Sequence, residues 1–257
     1  MIANAGRQGK IRGVLTPCLT ALAGLFISGS IANADTCSPV PVDNTNNCGW
    51  FNVCTAQSGG QDLAFGGPLW PQTAQSTISL FNPSPVYGAV SVWSALENQT
   101  SKLIAQIGYI HAAGVSNNDV GFAQWTDNNG TYSQIKYLAA PTGTDNYSVY
   151  RQGNGTFDLE DYHSIVLPPS SVNWGPNATE YKGEMDTLFN GQGDHTMGNK
   201  TSPVSFTNTF WSDQYGSRHT ESLYYLAANK DSTGTAPFMN LYSWDSAQFE
   251  IWDSRCA

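Results

Sequence analysis

From Val86 onward the chain alternates short apolar or aromatic runs with clusters of Asn, Asp, Gly and Pro. Runs at residues 90–93, 103–110, 120–125, 133–138 and 147–150 follow one another, and 157–167, 180–186, 204–211, 222–226 and 248–252 complete a set of roughly ten predicted strands. Strands this short, with turn signals this frequent, predict two packed antiparallel sheets: an all-β sandwich of jelly-roll, concanavalin-like form. One stretch is ambiguous, because Trp93, Leu96, Leu103, Ile104 and Ile107 also fit one face of a helix. The Asn98-Gln99-Thr100 interruption and Gly108 decide for a hairpin.

Residues 35–85 read differently. Asn, Gly, Gln, Ser and Pro dominate and β-branched runs are few, which predicts an irregular, cysteine-containing lead-in to a single sandwich domain over residues 86–257. Ahead of it, Arg7, Lys10 and Arg12 precede a mostly apolar stretch from Val14 to Ile27 and then Ala32-Asn33-Ala34. That is the order of a secretory signal, so residues 1–34 are expected to be cleaved after Ala34. No later apolar run is long enough for a membrane-spanning helix, so the expectation is a secreted protein, extracellular or periplasmic, with no membrane partner after cleavage.

Composition narrows the partners. Of the 257 residues 40% are hydrophobic and 12% charged, which is too apolar for a disordered chain. Removing Arg7, Lys10 and Arg12 from the 11 basic residues leaves eight against 20 acidic ones, which opposes phosphate-backbone binding. Nucleic acid is therefore not an expected partner, and a monomer is expected. Of the five cysteines Cys18 leaves with the signal; Cys37, Cys48, Cys54 and Cys256 form an even set suited to two disulfides in an oxidising compartment. If all four pair, at least one bridge joins the two ends of the mature chain, and Cys256 is expected to take one of the other three. A zinc site is the rival, but Cys48 and Cys54 lack the C-x2-C spacing and have no nearby His.

Common catalytic signatures are absent: there is no H-E-x-x-H, G-x-S-x-G, P-loop or G-x-G-x-x-G. His111, His163, His195 and His219 are too far apart in sequence to show a ligand pair. Acid and amide chemistry stands out instead. Alternation in Glu180-Tyr181-Lys182-Gly183-Glu184 puts Glu180, Lys182 and Glu184 on one strand face, with the two acids about 13 Å apart. A second catalytic group must then come from another strand, unless the face is simply solvated with Lys182 as counter-ion. Gln106 interrupts an apolar run, with Ile104, Gly108 and Ile110 as its face-mates, so its amide needs either a neighbouring-strand partner or a chemical role.

The order Trp93, Ala105-Gln106-Ile107-Gly108, Gln124-Trp125-Thr126-Asp127 and Asn177-Ala178-Thr179-Glu180-Tyr181-Lys182-Gly183-Glu184 resembles the glutamic peptidases, both the fungal eqolisins and the plant neprosins. Eqolisins carry a Trp, a Q-x-G strand, an aromatic-rich strand and an E-W-x-x-E strand in that order. Neprosins carry E-A-G-W, Y-W-T-x-D and E-W-G-G-E. Asp194-His195-Thr196-Met197-Gly198 also resembles a neprosin segment. Tyr181 stands where the family has Trp, and residues 35–85 are expected to be too short for the long pro-domain of these zymogens.

The resemblance implies a secreted, acid-acting endopeptidase that cuts polypeptides with a Gln106/Glu180 dyad and needs no metal or other cofactor. Glu180 would take a proton from the attacking water, and the Gln106 amide would donate to the developing oxyanion. Trp93 and Trp125 would line the substrate cleft, with Glu184 in support. The alternative is a carbohydrate-active jelly-roll protein: a glycoside hydrolase pairing Glu180 with Glu97 or Glu250, or a lectin-like module offering Trp70, Trp93 and Trp125 as stacking faces.

Overall fold

The computed structural model describes residues 53–61, 69–80, 89–98, 100–112, 120–131, 133–141, 143–162, 164–188, 203–220, 225–228, 239–245 and 247–253. The expected signal segment, Cys37, Cys48, Cys256, His163 and the 194–198 motif lie outside these residues.

All regular structure among the described residues is strand. In chain order the strands are Val53–Gln61 (β1), Pro71–Ser79 (β2), Ala89–Asn98 (β3), Leu103–Ala112 (β4), Val120–Thr126 (β5), Ser133–Leu138 (β6), Thr144–Arg151 (β7) and Phe157–Glu160 (β8). Ile165–Val166 (β9), Glu180–Leu188 (β10), Val204–Asp213 (β11), Arg218–His219 (β12), Tyr225–Ala228 (β13), Met239–Asp245 (β14) and Gln248–Asp253 (β15) follow. They pair antiparallel into a seven-stranded sheet, β13-β1-β10-β3-β4-β5-β6, and an eight-stranded sheet, β14-β15-β11-β2-β7-β8-β9 with β12 on β11. The expected antiparallel all-β sandwich is therefore the fold, and residues 89–112 form a hairpin, not a helix.

The main core lies between the sheets. Val92, Leu96, Ala105, Ile107, Tyr109, Ala123, Trp125 and Tyr181 from the first sheet meet Ala74, Ile78, Tyr147, Val149, Phe206, Trp211, Phe249 and Ile251 from the second. The Phe206 and Phe249 rings stack with centroids 4.2 Å apart. Gly183 makes room for them, since a Cβ there would lie 2.8 Å from Phe206 and 2.9 Å from Phe249. A second apolar cluster, Trp93, Ala95, Ile110 and Phe122, covers the opposite face of the seven-stranded sheet. With both faces covered, β4 and β5 bury nearly every residue, which is why their sequences read as continuous apolar runs and not as alternation.

Two differences from the sequence reading matter. Residues 35–85 contain β1 and β2, which are interior strands: β1 lies between β13 and β10, and β2 between β11 and β7. The buried positions of β2 include Ala74, Ser76 and Ile78, and Ser76 meets Thr209 Oγ1 at 3.2 Å. Small and hydroxyl residues fill the inner face there, so no hydrophobic alternation marks the strand. The stretch 157–167, expected as one strand, is a β8–β9 hairpin. Its turn closes through Asp161 N to Ser164 O at 3.0 Å, and the Asp145 carboxylate accepts from Tyr162 N at 3.1 Å.

Candidate functional site

Strand register fixes the site. The cross-strand row Lys182, Ala95, Gln106, Gln124 and Ile135 runs over β10, β3, β4, β5 and β6. One step along the strands on one side lies the row Glu184, Trp93, Gly108, Phe122 and Tyr137; on the other side lie Glu180, Glu97 and Ile104. Paired residues share a face and successive residues alternate, so these three rows occupy the face of the seven-stranded sheet turned away from the main core.

Gln106 sits at the centre of that face and is 4% exposed. Its Nε2 donates to Gln124 Oε1 at 2.7 Å, while its Oε1 is buried with no hydrogen-bond partner among the described residues. A neighbouring-strand partner thus satisfies one end of the amide and leaves the other unmet, a cost that structural amides ordinarily avoid. Beside it the Trp93 ring meets Phe122 edge-on, centroids 6.1 Å apart, and the indole Nε1 is likewise buried without a partner. Gly108 separates Trp93 from Phe122 in the same row. A Cβ there would collide with the Val92 carbonyl oxygen, so only glycine lets β3 and β4 approach this closely.

The charged side of the site is on β10 and β3. Lys182 Nζ lies 3.0 Å from Glu97 Oε1, both side chains being largely shielded from solvent. Glu180 stands directly opposite Glu97, and Glu184 directly opposite Trp93. By register each acid is two strands, about 10 Å, and one two-residue step, about 7 Å, from Gln106. Strand register thus assigns positions 93, 106, 180 and 184 to one face of the sheet.

Trp125 does not join them. It is 5% exposed and packs in the core between the sheets, because it follows Gln124 and alternation turns it to the inner face. The residue of that segment on the face of Gln106 is Gln124, its partner in the β4–β5 register, which no spacing along the chain marks. Glu250 is on β15 in the other sheet, where Ser205 Oγ donates to it at 3.2 Å, so it is no partner for Glu180. Trp70 precedes β2 in that same sheet, with its backbone N–H donating to Gln214 Oε1. No three His, Cys, Asp or Glu residues among those described converge as metal ligands do.

No family model matches the chain, and no curated protein matches it. Solved structures do match in fold. Scytalido-glutamic peptidase, crystallised with a peptide-based transition state analog, aligns over 78% of this chain and 97% of its own at a TM-score of 0.50 and 13% identity. SCP-B, described as a member of the eqolisin family of peptidases in complex with the tripeptide Ala-Ile-His, covers the same shares at a TM-score of 0.47 and 13% identity. A glycoside hydrolase family 16 endo-glucanase from Bacteroides ovatus aligns over 53% of this chain and 66% of its own at a TM-score of 0.34 and 7% identity. The class the architecture defines is thus the jelly-roll β-sandwich that this glutamic peptidase also adopts.

Proposed function

We propose that this protein is an endopeptidase that hydrolyses peptide bonds with the Gln106 amide and a glutamate of β10. The observation that carries the reading is the buried amide on the outer sheet face, with one end unmet, two strands from the acids of β10. A glutamine and a glutamate reaching across about 12 Å of sheet leave space for one water and one carbonyl oxygen. The carboxylate takes a proton as the water oxygen attacks the peptide carbon, and an amide N–H donates to the oxyanion that forms. The same carboxyl then gives its proton to the leaving nitrogen as the C–N bond breaks, releasing a new carboxyl and a new amine.

Sequence matching named Glu180 as the base, and register gives Glu184 equal reach. The motif match decides between them: we assign the base to Glu180, the first acid of the E-x-x-x-E strand, and a supporting role to Glu184. Secretion and action in an acidic medium belong to the same proposal.

Digestion of a denatured protein substrate across acidic pH, with chelator present, tests the reading. Gln106→Ala is expected to lower turnover about 10²–10³-fold, the range for one lost oxyanion donor. Glu180→Gln is expected to abolish it and Glu184→Gln to leave a measurable rate; the reverse pattern moves the base to Glu184. Hydrolysis of glucan but not of protein by the wild type would replace the peptidase with the carbohydrate-active alternative.

A further inference from the structure

An amide that serves as oxyanion donor must present N–H, not C=O, to the reacting group, yet the terminal torsion of a glutamine is broad and roughly two-fold. Something has to choose its orientation. Gln124, its register partner on β5, is equally buried at 4% exposure and accepts from Gln106 Nε2 at 2.7 Å. The flanking residues Ala123 and Trp125 are locked in the inter-sheet core, so the strand carrying Gln124 has little freedom to rotate it away.

We infer that Gln124 is the positioning residue of this site. It engages one N–H of Gln106, fixing the amide plane and with it the direction of the second N–H, the one available to an oxyanion. An uncharged acceptor suits this task. A carboxylate in the same position would hold the amide equally well but would put a negative charge about 5 Å across the strand pair from Gln106, close to where the transition state also becomes negative. The inference rests on the peptidase reading and adds to it the residue that sets the orientation of Gln106.

The test compares wild type, Gln124→Met and Gln124→Glu by kcat and KM over the pH range of activity. Gln124→Met keeps length and removes the acceptor, so kcat is expected to fall about 10- to 100-fold, the scale of a small misorientation, with KM within about twofold. Gln124→Glu is expected to approach the wild-type rate where its carboxyl is protonated and to fall as that carboxyl ionises, moving the basic limb of the profile toward acid. A residue that merely supports the fold would not move that limb. In nuclear magnetic resonance spectra the Gln106 side-chain N–H protons should exchange faster with solvent in Gln124→Met, a readout independent of turnover. Unchanged kcat in a folded Gln124→Met, or a Gln124→Glu profile superimposable on wild type, overturns the inference. If Gln124→Met does not fold, the Gln124→Glu profile alone decides. A wild-type protein without proteolytic activity overturns the peptidase reading itself, and this role with it.

Discussion

The Asn98 side chain joins the hairpin that carries Gln106 to the segment that leads into β10: its Nδ2 donates to the main-chain oxygen of Asn177 at 2.6 Å. Its Oδ1 accepts from Ser101 N at 2.8 Å, shaping the turn in which Lys102 adopts a positive φ of 55°. Thr179 N adds a bond to Glu97 O at 2.7 Å. Asn98 is 4% exposed, so both bonds are sheltered from competing water. Asn98→Ala is expected to destabilise the protein by about 1–3 kcal/mol, the cost of leaving buried partners unmet, and to raise hydrogen exchange at residues 177–180 more than in β7. Uniform exchange changes would show that the residue does not link these elements.

Gly108 separates packing from chemistry. Gly108→Ala places a Cβ against the Val92 carbonyl and is expected to cost about 1–3 kcal/mol or more as β3 and β4 are forced apart. Thermal unfolding measures the loss. A variant with an unchanged midpoint would show that the strands are not held at this separation.

Trp125 belongs to the core, not to a cleft. Trp125→Ala should cost about 3–5 kcal/mol, whereas Trp125→Phe, which also removes a buried indole N–H without a hydrogen-bond partner, should cost far less and leave KM for a protein substrate unchanged. A several-fold rise in KM for a stably folded Trp125→Phe would put this ring at the substrate.

Lys182 lies between Glu180 and Glu184 on β10 and pairs with Glu97. Replacing it by Met leaves the shielded Glu97 carboxylate without its counter-ion, so Lys182→Met is expected to destabilise the protein by about 3–5 kcal/mol. Thermal unfolding checks this, and an unchanged midpoint would show that the pair does not hold β10 to β3.

Asp213 predicts a pH dependence of stability away from the site. Burial pushes its carboxyl upward, but the His219 side chain at 2.9 Å, the backbone N–H groups of Ser217 and Tyr215, and the His219 charge together hold it below the ordinary Asp value. A carboxyl lowered on folding stabilises above its unfolded pKa of about 3.9, and that stability is lost as pH falls through the folded value. Asp213→Asn keeps an acceptor for the two N–H groups and removes the titration. The gap in unfolding midpoint between wild type and variant should therefore be largest near neutrality and shrink below about pH 4; a constant gap would show that the charge contributes nothing.

The linear pattern was sufficient for the all-strand class, the hairpin at residues 89–112 and the full extent of β6, because turn residues and β-branched runs act locally through backbone sterics. It also singled out Gln106, since an amide within an apolar run conflicts with its surroundings whatever the fold. It did not reveal β1 or β2, whose polar and small residues form strands only because neighbouring strands satisfy their backbone groups and the facing sheet accepts side chains as small as Ala74 and Ser76. Nor could spacing alone settle which residues share a surface with Gln106. Pairing register decided that: it puts Gln124 at hydrogen-bonding distance, turns Trp125 into the core, sets Glu180 and Glu184 at equal reach and assigns Glu250 to the other sheet. Register is a property of strands distant in sequence meeting in space, held there by the core that Gly183, Phe206 and Phe249 close between the sheets.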